Sequence, residues 1–179
     1  SRYKEISFQI REIFHEYTDI IEPLSLDEAF LDVTDNKKNI TLASDIASEI
    51  RWRIQNEIGI TASAGISINK FIAKVATEIN KPNGQKTIHP NKVDRFIDEL
   101  PIHKFFGVGR VTEKRMKELG VFNGADLRKF DELSLKNHFG KSGVHFYKVV
   151  RSIQNSPVNP NRIRKSIGAE QTFTKDIDS

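Results

Sequence analysis

The apolar pattern of the chain changes at His89-Pro90, and this change limits the possible folds more than any other feature of the sequence. Before it, apolar residues recur at helical spacing and in short strand-like runs. After it, the pattern is helical and is repeatedly broken by glycine. The sequence therefore predicts an α+β sheet unit over residues 1–88 and a small all-helical unit over 89–155. Residues 156–165, rich in proline and asparagine, have the composition of a linker.

The first unit is predicted to contain its elements in the order helix, hairpin, helix, strand, helix, strand. Its hairpin is the most constrained part, because the runs 20–25 and 28–33 lie so close that only a tight turn around Leu26-Asp27 can join them. The other elements are helices over 6–17, 42–58 and 71–79 and strands over 61–67 and 85–88. This order predicts an α+β sheet with helices on one face.

The second unit is predicted to consist of short helices, two of which begin at glycine-containing turns. Backbone N–H groups at a helix N-terminus can bind a phosphate, and glycine permits the tight turn that exposes them. Such turns also occur as simple connectors between helices. The predicted phosphate contacts are Gly107, Gly109, Val111 and Thr112 at one turn and Gly140 and Ser142 at the other. The predicted helices span 92–100, 112–119, 125–130, 134–139 and 144–153.

The positive charge of the chain is concentrated in the helical unit. The whole sequence has 28 Lys and Arg against 24 Asp and Glu, a net charge of +4. Residues 1–88 have a net charge of −2, whereas 89–165 have 16 basic against 8 acidic side chains, a net charge of +8. Such an excess favours binding to nucleic-acid phosphates, with release of counterions. The sequence therefore predicts that the helical unit binds DNA with little sequence preference.

The composition excludes several other classes of protein. With 37% hydrophobic and 29% charged residues, the chain is typical of a folded globular protein. No apolar run approaches the roughly 18 residues of a membrane span, so we expect no membrane partner. The absence of cysteine excludes disulfides, thiolate metal sites and cysteine nucleophiles, and it agrees with a cytoplasmic location.

Two adjacent carboxylates, Asp27 and Glu28, lie at the predicted hairpin turn between apolar residues. Adjacent residues of an extended strand point to opposite faces, but a tight turn can bring both carboxyl groups to one side. Carboxylate oxygens suit Mg²⁺, which binds one or two carboxylates together with phosphate oxygens. The same dipeptide also fits an ordinary solvated turn, so the residues alone leave both interpretations open.

Five sequence blocks occur in an order that resembles one protein family. The resemblance is to the Y-family (translesion) DNA polymerases, and the spacing is most similar to the bacterial DNA polymerase IV branch. It covers essentially the whole chain, and five blocks in one order make coincidence an implausible explanation. The blocks are Ser25-Leu26-Asp27-Glu28-Ala29-Phe30-Leu31-Asp32, Gly65-Ile66-Ser67-Ile68-Asn69-Lys70 with Ala73-Lys74, Lys81-Pro82-Asn83-Gly84, Phe106-Gly107-Val108-Gly109 and Arg164-Lys165-Ser166-Ile167-Gly168.

The resemblance implies roles for the acidic hairpin and for three lysines. Asp27 would bind two catalytic Mg²⁺ ions, and Glu28 would bind the ion beside the primer 3′-hydroxyl and help to activate that hydroxyl. Two ions about 3.5–4 Å apart lower the pKa of an attacking hydroxyl and neutralise the leaving pyrophosphate. Lys81 would contact the triphosphate of the incoming nucleotide, although a solvated lysine at a helix end is the alternative. Lys70 and Lys74 would contact the DNA strands.

The resemblance also implies that the chain is a fragment. Residues 1–88 would form a partial ferredoxin-like palm sheet with helices, 89–155 a helix-hairpin-helix thumb, and 166–179 the start of a little finger. An N-terminal strand with a further metal-binding aspartate, the fingers and a clamp-binding tail would lie outside the chain. We therefore expect the chain alone to be inactive.

The implied function is that of the palm and thumb of a template-directed DNA polymerase, which adds deoxynucleotides to a primer 3′ end during DNA repair or damage tolerance. Its partners would be primer-template DNA, deoxynucleoside triphosphates and, through the missing C-terminal tail, a sliding clamp, and we expect a monomer. A non-catalytic, sequence-independent DNA-binding module is the main alternative. A nucleotide cyclase is a third, but a free nucleotide substrate does not require a basic DNA-binding unit.

Overall fold

Eight α-helices and four short strands occur in residues 2–153 and 156–161, which are the residues that the computed structural model describes. The predicted order of elements is confirmed, as is the α+β unit followed by an all-helical unit. The sheet unit contains α1 Arg2–His15, β1 Ile21–Pro23, β2 Ala29–Leu31, α2 Ala43–Arg53, β3 Ala64–Ile66, α3 Lys70–Ile79 and β4 Gln85–Thr87. The helical unit contains α4 Val93–Glu99, α5 Arg110–Glu118, α6 Gly124–Arg128, α7 Glu132–Phe139 and α8 Lys141–Val150.

The helices are short, and some of their ends differ from the predicted ones. The predicted helix 42–58 consists of α2 followed by a π-helical turn, Ile54–Ile58, which ends at Gly59 with a left-handed φ of 82°. The helix predicted over 144–153 begins at Lys141 and ends at Val150. In the described ranges, no helix combines the length and the apolar character that a membrane crossing requires.

Within the described residues, the four strands form two separate two-stranded pairs. Strand β1 pairs antiparallel with β2, so that Glu22 lies opposite Phe30. Strand β3 pairs in parallel with β4, and α3 forms the crossover between them. A tight turn connects β1 to β2, and α3 connects β3 to β4. Among the described residues, no strand pairing joins the two pairs.

The buried apolar residues form two clusters, and α3 belongs to the cluster of the helical unit. Helices α1 and α2 and the loop after α1 enclose the first cluster, which contains Ile13, Tyr17, Ile46, Ile50 and Ile54. In the second, Phe71 of α3 packs with its ring centroid 5.5 Å from that of Phe105. The core is therefore continuous across the predicted boundary at residue 88. The other buried members of the second cluster are Ile72, Val75, Ala76, Ile88, Val93, Ile97, Leu100, Ile102, Met116, Val121, Leu127, Leu135, Phe146, Val149 and Val150.

Helix α3 lies with its backbone directly against β3, and Gly65 makes this approach possible. A Cβ atom at Gly65 would lie 2.0 Å from the carbonyl oxygen of Ala73 and 2.5 Å from the amide nitrogen of Thr77. The helix begins at a side-chain cap, because Asn69 accepts a hydrogen bond of 2.9 Å from the amide of Ile72. This packing fixes the distance from β3 to α3, and therefore to Lys70 at the start of that helix.

The segment 156–161 lies against the sheet unit. The amide of Asn159 donates to Oε2 of Glu22 at 2.9 Å, and Nζ of Lys70 donates to the carbonyl oxygen of Pro157 at 3.0 Å. The block Arg164 to Gly168 and the predicted unit 166–179 lie outside the described residues.

We expect Gly65→Ala to lower the free energy of unfolding by about 2 kcal/mol or more, because the added methyl group must displace helix backbone rather than a flexible side chain. Urea denaturation of the 179-residue chain followed by circular dichroism measures this change. Gly109→Ala is the control, since no atom lies within 4 Å of a Cβ there and its cost is limited to about 0.5–1 kcal/mol at a helix N-cap. Equal losses for the two variants would contradict the role assigned to Gly65.

Candidate active site

The predicted turn of the first hairpin is confirmed, and it presents both carboxylates at the end of the hairpin. The amides of Leu24 and Ser25 donate to the carbonyl oxygen of Glu28 at 2.9 and 3.3 Å, which closes the turn around Asp27. The hydroxyl of Ser25 donates to Oδ1 of Asp27 at 2.5 Å. This bond fixes the Asp27 carboxylate from within the turn, a role that the sequence analysis did not assign to Ser25.

Hydrogen bonding and nearby charge keep Asp27 ionised. The Ser25 hydroxyl is the main cause that holds the pKa of the Asp27 carboxyl below its ordinary value, and burial opposes this effect. The positive charges of Lys74 and Lys81 lower this pKa further. Both lysines therefore lie close enough to act on the turn, and Asp27 is a carboxylate at neutral pH.

Lys74 forms an ion pair with Glu28. Its ammonium group donates to Oε1 of Glu28, and the lysine side chain is only 16% exposed. The same ammonium lies 5.8 Å from the ring centroid of Phe106, in the helical unit. In the ligand-free chain, Lys74 thus supplies the positive charge that balances Glu28, while its predicted contact with DNA stays a prediction.

Lys70 lies at the base of the hairpin rather than at its turn. Its ammonium group donates to Oε2 of Glu22 at 2.7 Å and to the carbonyl oxygen of Pro157, and the Glu22 side chain is only 9% exposed. Its predicted DNA contact likewise stays a prediction, but the position links β1, α3 and the segment 156–161.

Lys81 lies just beyond the C-terminal end of α3 and is half exposed. It forms an ion pair of 2.7 Å with Glu78. This hydrogen bond is the main cause that raises the pKa of Lys81 above its ordinary value, and the negative charges of Glu28 and Asp27 raise it further. Lys81 is therefore a cation near the acidic turn, as a triphosphate contact requires.

The donor set at the turn fits part of a Mg²⁺ site. Asp27 and Glu28 supply two carboxylates, and carboxylates together with phosphate oxygens and water are the ligands that Mg²⁺ prefers. Within residues 2–153 and 156–161, no group of three or more Asp, Glu or His side chains is placed to hold a metal ion. The turn therefore fits an ion whose remaining ligands come from a bound phosphate, from water or from elsewhere in the protein.

Both predicted phosphate-binding turns in the helical unit open helices. Helix α5 begins after Gly109, and Val111 in its first turn is 85% exposed. Helix α8 begins after Gly140, whose φ is 60°, and its first turn contains Ser142 and no acidic residue. The first N–H groups of a helix have no carbonyl partner within that helix, so these turns can donate to an anion.

One residue near the site had no sequence signal that revealed its role. Arg51, on α2, donates from its guanidinium group to Asn83 in the turn that contains Lys81. The two residues are 32 positions apart, and on the helix Arg51 has the pattern of an ordinary polar residue beside the buried Ile50. Only the fold brings them together.

Two family models match the chain and together cover most of the described sequence. The impB/mucB/samB family matches residues 1–78. The helix-hairpin-helix motif of the same family, described as the IMS family HHH motif, matches residues 90–121. The second match includes the helix start at Gly109.

Known proteins resemble the chain in both sequence and structure. The DNA polymerase IV of Akkermansia muciniphila is 53% identical over 175 residues, which are 98% of this chain and 49% of that relative. The crystal structure of DinB from Sulfolobus solfataricus superposes with a TM-score of 0.80 and 31% identity, covering 88% of this chain and 47% of that one. A Y-family DNA polymerase chimera gives a TM-score of 0.82 at 32% identity, with 91% and 48% coverage.

The chain spans about half the length of the curated relatives it matches. Within that half, the family models match the sheet unit and the helix-hairpin-helix in this order, and the fold superposes on that of DinB from Sulfolobus solfataricus. The chain therefore belongs to the Y family of DNA polymerases, in its DinB-type branch.

Proposed function

We propose that this chain forms the palm and thumb of a translesion DNA polymerase that adds deoxynucleotides to a primer 3′ end. The observation that carries the proposal is the hairpin turn with two adjacent carboxylates, Asp27 and Glu28, beside the cations Lys74 and Lys81. Residues 1–88 serve as the palm, 89–155 as the thumb and 156–165 as the linker to further parts of the protein.

The residues of the turn act by holding charge in place. Asp27 and Glu28 hold Mg²⁺, which when bound supplies the positive charge that activates a primer hydroxyl and stabilises the pyrophosphate leaving group. Ser25 keeps the Asp27 carboxylate oriented and ionised. Lys74 forms an ion pair with Glu28 and so balances the charge of that carboxylate. Lys81 places a point charge against the phosphates of the nucleotide.

The helical unit holds duplex DNA by contacts with the phosphates of the DNA backbone. The helix starts at Gly109 and Gly140 donate N–H groups to phosphates, and the net charge of +8 over residues 89–165 supplies the long-range attraction. Contacts of this kind carry no base information, so they suit an enzyme that must bind any sequence. The alternative, a DNA-binding module without catalysis, shares these features and differs only at the acidic turn.

We expect Asp27→Asn and Glu28→Gln each to reduce nucleotide addition by about a thousandfold or more, because each variant removes a metal-binding negative charge from the site. The measurement uses a hybrid polymerase in which this chain replaces the matching segment of the A. muciniphila DNA polymerase IV. Primer extension under single-turnover conditions gives the rate, and fluorescence anisotropy gives the DNA affinity, which should change less than threefold.

The control is Asp32→Asn on the same hairpin. Asp32 accepts hydrogen bonds from the amide and hydroxyl of Thr34 and lies beyond β2, so its loss should leave the rate within about threefold. A hybrid that binds DNA but retains full activity without either carboxylate of the turn would support the non-catalytic alternative for this chain.

We expect Val111→Asp to weaken duplex DNA binding by the 179-residue chain about tenfold at 0.1 M salt, because it places a negative charge at the exposed N-terminus of α5. Leu133→Asp is a matched control, since Leu133 is also the second residue of its helix, α7, and is 67% exposed. Anisotropy titrations at several salt concentrations measure both. Equal weakening by the two variants would show that the effect is one of net charge alone.

A further inference from the structure

The turn that contains Lys81 is fixed firmly at both ends. On one side, Nδ2 of Asn80 donates to the carbonyl oxygen of Gln85 at 2.7 Å. On the other side, the amide of Ala64 in β3 donates to the carbonyl oxygen of Gly84 at 3.0 Å. A Cβ at Gly84 would lie 1.7 Å from the carbonyl oxygen of Asn80, so the two ends of the turn are in direct backbone contact. The apex, residues 81–83, lies between these fixed ends.

The apex is held from outside by Arg51. Nη2 of its guanidinium group donates to the carbonyl oxygen of Asn83 at 2.5 Å and to Oδ1 of the same residue at 3.0 Å. Nε donates to the carbonyl oxygen of Ala62 at 3.0 Å, in the segment that leads into β3. One planar group thus joins α2, the start of β3 and the apex of the turn.

Asn83 is the residue of the apex that most needs such support. Its φ is 48°, in the left-handed region that residues other than glycine seldom adopt and that asparagine tolerates best. Two hydrogen bonds from a charged donor to its carbonyl and amide oxygens stabilise this conformation. Asn83 is only two residues from Lys81, so the conformation of its backbone affects the position of the Lys81 Cα atom.

We propose that Arg51 is a positioning residue for nucleotide binding: by fixing Asn83 it holds Lys81 where the ammonium group meets the phosphates of the incoming nucleotide. This inference rests on the proposed function. Arg51 acts through the turn and does not itself touch the nucleotide. A lysine at position 51 offers a single point charge and cannot donate along both directions that the guanidinium group uses, so it replaces Arg51 only in part.

A matched control is present on the same helix. Arg53 forms two hydrogen bonds with Glu16 and two with Glu57, and it is as strongly paired as Arg51. Its partners, Glu16 and Glu57, lie just after α1 and in the π-helical turn, away from residues 81–83. Arg53→Met therefore removes a comparable set of charged hydrogen bonds without releasing the Lys81 turn.

The experiment compares Arg51→Met, Arg51→Lys and Arg53→Met. In the 179-residue chain, hydrogen exchange followed by mass spectrometry should show faster exchange over residues 81–85 for Arg51→Met, a smaller increase for Arg51→Lys and none for Arg53→Met. In the hybrid polymerase, Arg51→Met should raise KM for the nucleotide about tenfold with kcat and DNA affinity within about threefold, since a lost ground-state contact appears in KM. Arg51→Lys should give an intermediate KM, and Arg53→Met should leave KM within about twofold.

Combining Arg51→Met with Lys81→Met separates the inference from the proposed function. If Arg51 acts through Lys81, the double variant has the KM of Lys81→Met alone, because coupled residues are not additive. Multiplying effects, or an unchanged KM for Arg51→Met while Lys81→Met raises it, would overturn the inference and leave the proposed function intact. A Lys81→Met variant with unchanged KM would overturn both the proposed role of Lys81 and the inference.

Discussion

The contact between the backbones of α3 and β3 at Gly65 is the constraint on which the rest of the site depends. Only a residue without a side chain allows the helix to approach this closely. The approach lets one helix serve two purposes, because its buried face joins the core of the helical unit while Lys70 and Lys74 reach the acidic hairpin. A larger residue at position 65 would lift these cations away from their partners.

Charge compensation within the site follows from that geometry. Glu22 and Glu28 lie on one hairpin, and each forms an ion pair with a lysine of α3. The two lysines are four residues apart and so lie one helical turn from each other. Asp27 is stabilised differently, by the Ser25 hydroxyl, which keeps it ionised although none of the described residues forms a direct ion pair with it.

Much of this arrangement could be predicted from the sequence, because it is encoded in local patterns. The turn around Asp27 could be predicted because only a tight turn can join two strand-like runs that lie so close in the sequence. The helix starts at Gly109 and Gly140 could be predicted from the glycines that interrupt the apolar pattern. The division of the buried residues into two clusters could not be predicted, since the apolar stripe of α3 does not reveal which unit the helix packs against. The contact of Arg51 with Asn83 could not be predicted either, because it depends on how α2 lies across a turn 32 positions away.

The hydrogen bonds of the segment 156–161 have a mechanical consequence. The chain enters the helical unit directly from β4 and, after leaving it, returns to β1 and α3 through Asn159 and Pro157. The helical unit is thus tethered to its neighbour at two separate points. A unit joined to its neighbour only where the chain enters it can bend at that one point, whereas a second attachment opposes such bending. Together with α3, which belongs to the core of the helical unit, these two attachments oppose a hinge motion of that unit away from the hairpin.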